Sequence, residues 1–192
     1  MNKNAFLCCL VLIAATAFSS CNAPTTSQTN ALDSAKIVST NGTLSEILVA
    51  LGLEDNIVGV DVASTYPTSL QDKPKIGHNR DISSEGVLAL DPDFVLGISE
   101  VVRPEVADQI RSSGVGLMLF DHEYSIDGAK QLIRAVADSL DRSAKGDSLL
   151  RELEVDLAVA DSVVAQSQTQ PKVLFIYARG TGTMMVAGQQ TQ

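Results

Sequence analysis

The chain has 192 residues, with 14 Lys and Arg against 23 Asp and Glu, a formal net charge of −9, and 45% hydrophobic residues. A chain this acidic, with no basic cluster along it, argues against nucleic acid as a partner. The length suffices for one ordinary domain with its own core.

The first residues speak to compartment. Lys3 supplies a positive start, and Ala5 to Ala17 is an apolar run interrupted only by Thr16. That run falls short of the roughly 20 residues a bilayer span needs, and it fits the core of a secretory signal. Phe18-Ser19-Ser20-Cys21 follows and resembles the lipobox of bacterial lipoproteins, with Phe18 where an aliphatic residue is usual. The resemblance implies a signal peptide over 1–20, cleavage before Cys21, and diacylglycerol on the Cys21 sulfur. The alternative is an ordinary secretory signal with an incidental cysteine. Cys8, Cys9 and Cys21 are the three cysteines, so the exported part would carry no disulfide in an oxidising compartment. Residues 21–35, rich in Thr, Ser, Gln, Asn and Ala, read as a lipid-anchored flexible tether.

From Lys36 onward β-branched runs alternate with amphipathic stretches. Ile37 to Thr40 reads as a strand. Asn41-Gly42 makes the turn, and Thr43-Leu44-Ser45-Glu46 predicts a capping box opening a helix through Leu51, stopped by Gly52. Ile57 to Asp61 is a second strand. Ser83 and Ser84 cap a short helix carrying Val87, Leu88 and Leu90. Asp93 to Ile98 is a third strand, entered through Pro92. Pro104 opens a helix through Ile110 that Gly114 ends, and Val115 to Phe120 is a fourth strand. This spacing argues for a parallel sheet covered by helices, whose ligands sit beyond the carboxyl ends of the strands. The loops to watch are 41–43, 61–82, 98–103 and 121–125. Two long helical patterns follow, Ile126 to Leu140 and Gly146 to about Gln168. Pro171 breaks the pattern, Lys172 to Tyr177 begins a new strand, and Arg179-Gly180-Thr181-Gly182-Thr183 and Met184 to Gly188 close the sequence. A strand begun so near the end predicts a fragment that lacks most of a second lobe.

Several blocks, in this order, resemble one family. They are Lys36 to Leu53 with Ile57-Val58-Gly59-Val60-Asp61, Ser84 to Gly97, Thr65-Tyr66-Pro67 with Lys73 to Arg80, and Arg179-Gly180 with Val186-Ala187-Gly188. Together they resemble the ABC-importer substrate-binding proteins for siderophores, cobalamin and haem, and the 65–80 stretch is most similar to the haem receptors. The resemblance implies an α/β, two-lobe, periplasmic-binding-protein-like fold joined by a long helix. It implies an N-terminal ligand-binding lobe over 36–145, an interlobe helix over 146–170 and the start of a truncated C-terminal lobe at 171–192. It further implies haem as the transported ligand, with no catalytic cofactor.

The same resemblance assigns the candidate residues. In the haem receptors the position after the glycine of the 73–80 loop commonly holds an iron-ligating tyrosine; here Gly77 is followed by His78, whose neutral imidazole is also a good iron ligand. The competing reading of His78 is a surface-loop histidine without a partner. His122, in Asp121-His122-Glu123-Tyr124, is a second candidate ligand or part of an acidic helix start. Glu85 is expected to dock on the permease, or to be a plain helix-start glutamate. Arg80 and Arg179 suit carboxylates such as haem propionates, with Arg80 bracing its own loop as the alternative. Tyr66 either stacks on a flat macrocycle or packs the loop. Asn41 and Gly42 would let backbone approach the ligand, and Met184 and Met185 read as packing.

No Ser/His/Asp set or phosphate loop gives catalysis a foothold, and 179–183 lacks the context of a dinucleotide site. The expectation is a monomeric, non-enzymatic, haem-binding lipoprotein, periplasmic and anchored to the inner membrane. Its partners would be haem, an ABC permease through Glu85, and the membrane through Cys21. A ferric siderophore or corrinoid as cargo, or a haem or metal hand-off lipoprotein without a transporter, are the alternatives.

Overall fold

The computed structural model describes residues 31–169, 172–178, 182 and 184–187. The expected signal peptide, Cys21, the first part of the tether and Arg179 lie outside the described residues.

In chain order the elements are β1 (Ile37–Ser39), α1 (Gly42–Ala50), β2 (Ile57–Val60), β3 (Gly77–His78), β4 (Asp81–Ile82), α2 (Ser84–Leu88), β5 (Phe94–Ile98), α3 (Pro104–Ser112), β6 (Gly116–Phe120), α4 (Ile126–Ser139), α5 (Ser143–Gln166), β7 (Ile176–Ala178) and β8 (Met184–Val186). Four strands form one parallel sheet in the order β2-β1-β5-β6, as the strand–helix alternation predicts. Short 3-10 turns at Ala31–Ser34, Glu54–Asn56 and Thr68–Asp72 fill the connections.

The sheet is apolar on both faces because helices cover both. On one face Ile37, Leu96, Ile98 and Phe120 pack with Leu44, Ile47 and Leu48 of α1 and Leu132 and Val136 of α4. On the other, Val38 and Val95 pack with Val87 of α2 and Val106, Ala107 and Ile110 of α3. Neighbours along a strand, such as Val95 and Leu96, enter opposite layers, which is the period-2 rule of a pleated strand. Each fully buried Leu or Ile contributes about 1.5–3 kcal/mol. The pairing of β1 with β2 slips between Ile37 and Val38. That extra residue lets Ile57 and Val60, an odd spacing apart, enter the same core layer.

Several local expectations are corrected. The N-cap of α1 is Asn41, whose side chain accepts from the Thr43 N–H at 2.9 Å; Thr43 is already inside the helix, so the 43–46 capping box does not form. The 61–82 stretch, read as loop, contains the antiparallel β3–β4 hairpin and an isolated parallel bridge from Val60 to Lys75. The long helix starts at Ser143, before Gly146. The strand after α5, β7, covers Ile176–Ala178, not Lys172 to Tyr177, and pairs antiparallel with β8.

α5 has two apolar faces with different fates. Gly146 and Leu150 are buried against α4, and Leu153 and Leu157 continue that stripe half-buried. A Cβ at Gly146 would stand 2.5 Å from that of Ala137, so the small residue sets the closeness of the two helices. Lys130 adds an ion pair to Glu154 at 3.3 Å. On the opposite side Val155, Val159 and Val163 repeat at helical spacing and are 64%, 59% and 65% exposed. The β7–β8 hairpin is likewise exposed along both strands. No helix among the described residues is long and apolar enough to cross a membrane.

Candidate functional site

The strand order turns back on itself at β1: the chain leaves β1 for β2 on one side, then crosses to β5 on the other. Loops leaving the carboxyl ends of β1 and β5 therefore diverge and open a crevice, the general ligand position in such sheets. The loops that reach this edge are those expected from the sequence.

Beneath them lies a buried polar cluster that sequence reasoning missed. Ser39, Ser45 and Asp61 are wholly buried and Ser64 is 1% exposed. Ser64 Oγ donates a short hydrogen bond to Asp61 Oδ1, and the Ala63 N–H donates to Oδ2 at 3.2 Å. Ser45 Oγ stands 2.9 Å from Ser64 Oγ, 2.8 Å from Ser39 Oγ and 3.1 Å from the Asn41 carbonyl. A buried carboxylate is costly unless its oxygens find donors, and here both do. The sequence signal was an Asp and a Ser at strand ends, a Ser in the first turn of α1 and a Ser in the loop after β2. Nothing local says that they meet.

The hairpin carrying His78 hangs from the same place. The Val62 N–H donates to the Gly77 carbonyl at 2.9 Å, and the Ile76 N–H to the Val60 carbonyl at 3.0 Å. Gly77 has φ +109°, and a Cβ there would stand 2.6 Å from the Asp81 carbonyl oxygen. Glycine is thus required where the strand turns toward His78. His78 is exposed and pairs in register with Asp81. Its Nδ1 accepts from the Arg80 N–H at 3.4 Å. With Nδ1 as acceptor, the neutral ring carries its proton on Nε2. The Arg80 guanidinium is exposed and makes no ion pair among the described residues. Arg103, which sequence reasoning also missed, reaches across from the start of α3 to Asp81 at 3.2 Å.

Other candidates fall elsewhere. Tyr66 is 69% exposed. It lines a cavity of about 280 Å3 with Thr43, Glu46, Ile47 and Leu132, on the α1–α4 side of the sheet. Ile76 and Ile82, flanking the His78 turn, pack into the opposite layer. The structure does not bring Tyr66 and His78 into contact. The Asn41 side chain is committed to its cap, and Gly42 is approached by the Ala63 carbonyl and Ser64 at ordinary contact distance. His122 and Tyr124 stand with ring centres 4.5 Å apart. With Glu100, Asp121 and Glu123 they line a second cleft of about 370 Å3 at the carboxyl ends of β5 and β6. Ser125, the N-cap of α4, accepts from the Gly128 N–H at 2.9 Å and donates to Glu123 at 3.0 Å, which fits an acidic helix start. No group of three His, Cys, Asp or Glu among the described residues could hold a metal ion. Glu85 is exposed in the first turn of α2, whose N-cap Ser83 accepts from the Gly86 N–H at 3.1 Å. Met184 and Met185 are exposed.

Comparison with known proteins adds a family, a solved structure and two curated relatives. Residues 37–192 match the periplasmic binding protein family. Among solved structures, the chain is similar to the periplasmic heme-binding protein RhuT from Roseiflexus sp. RS-1 in apo form, at 40% identity and a TM-score of 0.77, over 82% of this chain and 60% of that one. Among curated proteins it is 26% identical over 159 residues to the uncharacterized ABC transporter substrate-binding lipoprotein YvrC of Bacillus subtilis (strain 168), covering 81% of this chain and 50% of the relative. It is also 26% identical over 143 residues to a cobalamin-binding protein of Halobacterium salinarum, covering 73% of this chain and 38% of the relative. The chain spans half or less of the length of these curated relatives.

Proposed function

Because this chain belongs to the periplasmic binding protein family, we propose that it is the substrate-binding component of an ABC importer, capturing haem and handing it to an inner-membrane permease. The observation that carries this reading is the His78 hairpin at the carboxyl edge of the sheet. It presents the exposed imidazole of His78, held to the Arg80 backbone N–H, and two residues on an exposed Arg80 whose guanidinium makes no ion pair among the described residues. Imidazole suits haem iron, and a guanidinium suits a propionate carboxylate. The greater identity to a heme-binding structure, 40% against 26% for a cobalamin-binding relative, supports haem over a corrinoid.

The rest of the reading follows from the same premise. Residues 36–145 form the first lobe, residues 146–170, which take in most of α5, form the interlobe helix, and residues from 171 onward begin a second lobe. Exposed valines on α5 and an exposed β7–β8 hairpin are what a partner lobe would cover. Arg179 is a carboxylate-binding candidate from that lobe, Glu85 docks on the permease, and lipidated Cys21 holds the protein at the periplasmic face of the inner membrane. Function is binding and release, driven by ATP hydrolysis on other subunits.

A haemin titration followed by visible absorption tests this on wild type and His78→Ala. A saturable Soret shift that the mutant loses is the expected result. No shift in wild type refutes haem as cargo, and binding of hydroxocobalamin instead would establish the corrinoid reading that the cobalamin-binding relative favours. Charge reversal at Glu85 with uptake retained would favour a hand-off protein over an importer subunit.

A further inference from the structure

We infer that Asp61 is the positioning residue for His78: its buried carboxylate shapes the turn from which the His78 hairpin hangs. This rests on the reading of His78 as the iron ligand.

Both Asp61 oxygens are spent on residues two and three positions on in the turn, through the Ala63 N–H and the Ser64 hydroxyl. Such an arrangement turns the chain sharply, as an Asp side chain does when it bonds its own downstream backbone. The turn has two consequences across the gap to the hairpin strand. Val62, within it, donates its N–H to the Gly77 carbonyl at 2.9 Å, immediately before His78. Ser64 offers its carbonyl to Lys75 Nζ at 3.1 Å, and the same ammonium bonds the Leu70 carbonyl at 2.8 Å. The His78 strand is thus tied to the Asp61 turn at two points, one backbone and one side chain.

The other end of the cluster is anchored. Ser64 gives its proton to Asp61, and its oxygen stands 2.9 Å from that of Ser45 in the first turn of α1, whose hydroxyl donates to Ser39 of β1 at 2.8 Å. An ionised carboxylate accepts only, so it fixes the direction of the hydroxyls around it. Asparagine at 61 has nearly the same shape but turns an NH2 on either the Ser64 hydroxyl or the Ala63 N–H, and one of the two bonds must reverse or break. None of these groups needs to touch the cargo. Their effect reaches it through the backbone of residues 62 and 77.

The test uses the full chain with Asp61→Asn, Ser64→Ala, and Val136→Ala as a control in the wholly buried α4 layer, all assayed well below their melting temperatures. Haemin affinity and the Soret spectrum are read together with amide exchange at Val62. Removing an outer support of a metal ligand commonly weakens metal binding about ten- to a hundredfold. That loss, with faster exchange at Val62, is expected for Asp61→Asn and, if that variant fails to fold, for Ser64→Ala. Val136→Ala should lose stability and keep affinity. Wild-type affinity and spectrum in Asp61→Asn would overturn the inference, as would an equal loss in Val136→Ala, which would make the effect one of general stability. If wild type binds no haemin, the cargo reading fails by itself. Exchange at Val62 and the His78 ring proton shifts then decide, and their being unchanged in Asp61→Asn refutes the positioning role.

Discussion

Replacing Gly77 by alanine separates two costs that the structure puts at one residue. The first is conformational: φ is +109°, where an L side chain is strained by about 1–3 kcal/mol. The second is steric. The new Cβ would stand 2.6 Å from the Asp81 carbonyl oxygen, a backbone atom that moves only if the hairpin does, and overpacking of this kind costs about 1–3 kcal/mol. The sum is about 2–6 kcal/mol, capped by the cost of letting the β3–β4 hairpin lift from its core layer. Gly52 supplies the internal comparison: its φ is +80° but nothing lies within 4 Å of its added Cβ, so Gly52→Ala should cost only about 1–2 kcal/mol. Equilibrium urea unfolding measures both through the midpoint at constant m. Gly77→Ala should be the more destabilised, and it alone should weaken haemin binding, because lifting the hairpin moves His78. Equal losses in the two variants would refute the clash argument and with it the claim that the hairpin holds His78 rigidly.

Two further outcomes follow from particular contacts. On α5, Leu150→Ala removes a side chain that is 5% exposed and should cost about 2–5 kcal/mol. Val159→Ala, 59% exposed on the opposite face of the same helix, should stay within about 0.5 kcal/mol; urea unfolding of the pair checks which face carries the packing. At the amino edge of the sheet Lys36 bonds Asp91 at 2.8 Å, holding the Asp91 carboxyl below its ordinary 3.8 and the Lys36 ammonium above its ordinary 10.5. A lowered carboxyl stabilises above its unfolded pKa and loses that as pH falls through the folded value. A raised ammonium stabilises below its unfolded pKa and loses that as pH rises through the folded value. The pair therefore supports the fold between those limits, and melting temperature in Lys36→Met should show a smaller fall on both the acid and the alkaline flank than in wild type. Both groups are open to solvent, so the effect is small.

The order of elements was legible because its signals are local. Ser83 before Glu85, Pro104 at a helix start, Gly52 and Gly114 just past helix ends, and the apolar periods of 126–140 and 146–168 each act within a turn or two of chain. The alternation of strand and helix then implied a parallel sheet, and a parallel sheet implied a ligand edge, so the loops around residues 41, 78, 100 and 122 were identified without coordinates. Even the local signals failed where two competed. Asn41 and Thr43 are both good N-caps, and the geometry of the turn leaving β1 selected Asn41.

What only the tertiary structure decided are pairings between residues far apart in sequence. Asp61, Ser39 and Ser45 read separately as a strand end, another strand end and a helix position; their meeting depends on β1 and β2 lying side by side. The same holds for Arg103 and Asp81, for Val62 and Gly77, and for the two faces of α5, one packed on α4 and one left open. Composition and periodicity state which residues avoid water, and this is a property of each segment. Which surfaces they meet is set by chain closure across many residues, where the pleat, the bulge in β2 and the crossover to β5 fix distances that no local pattern encodes.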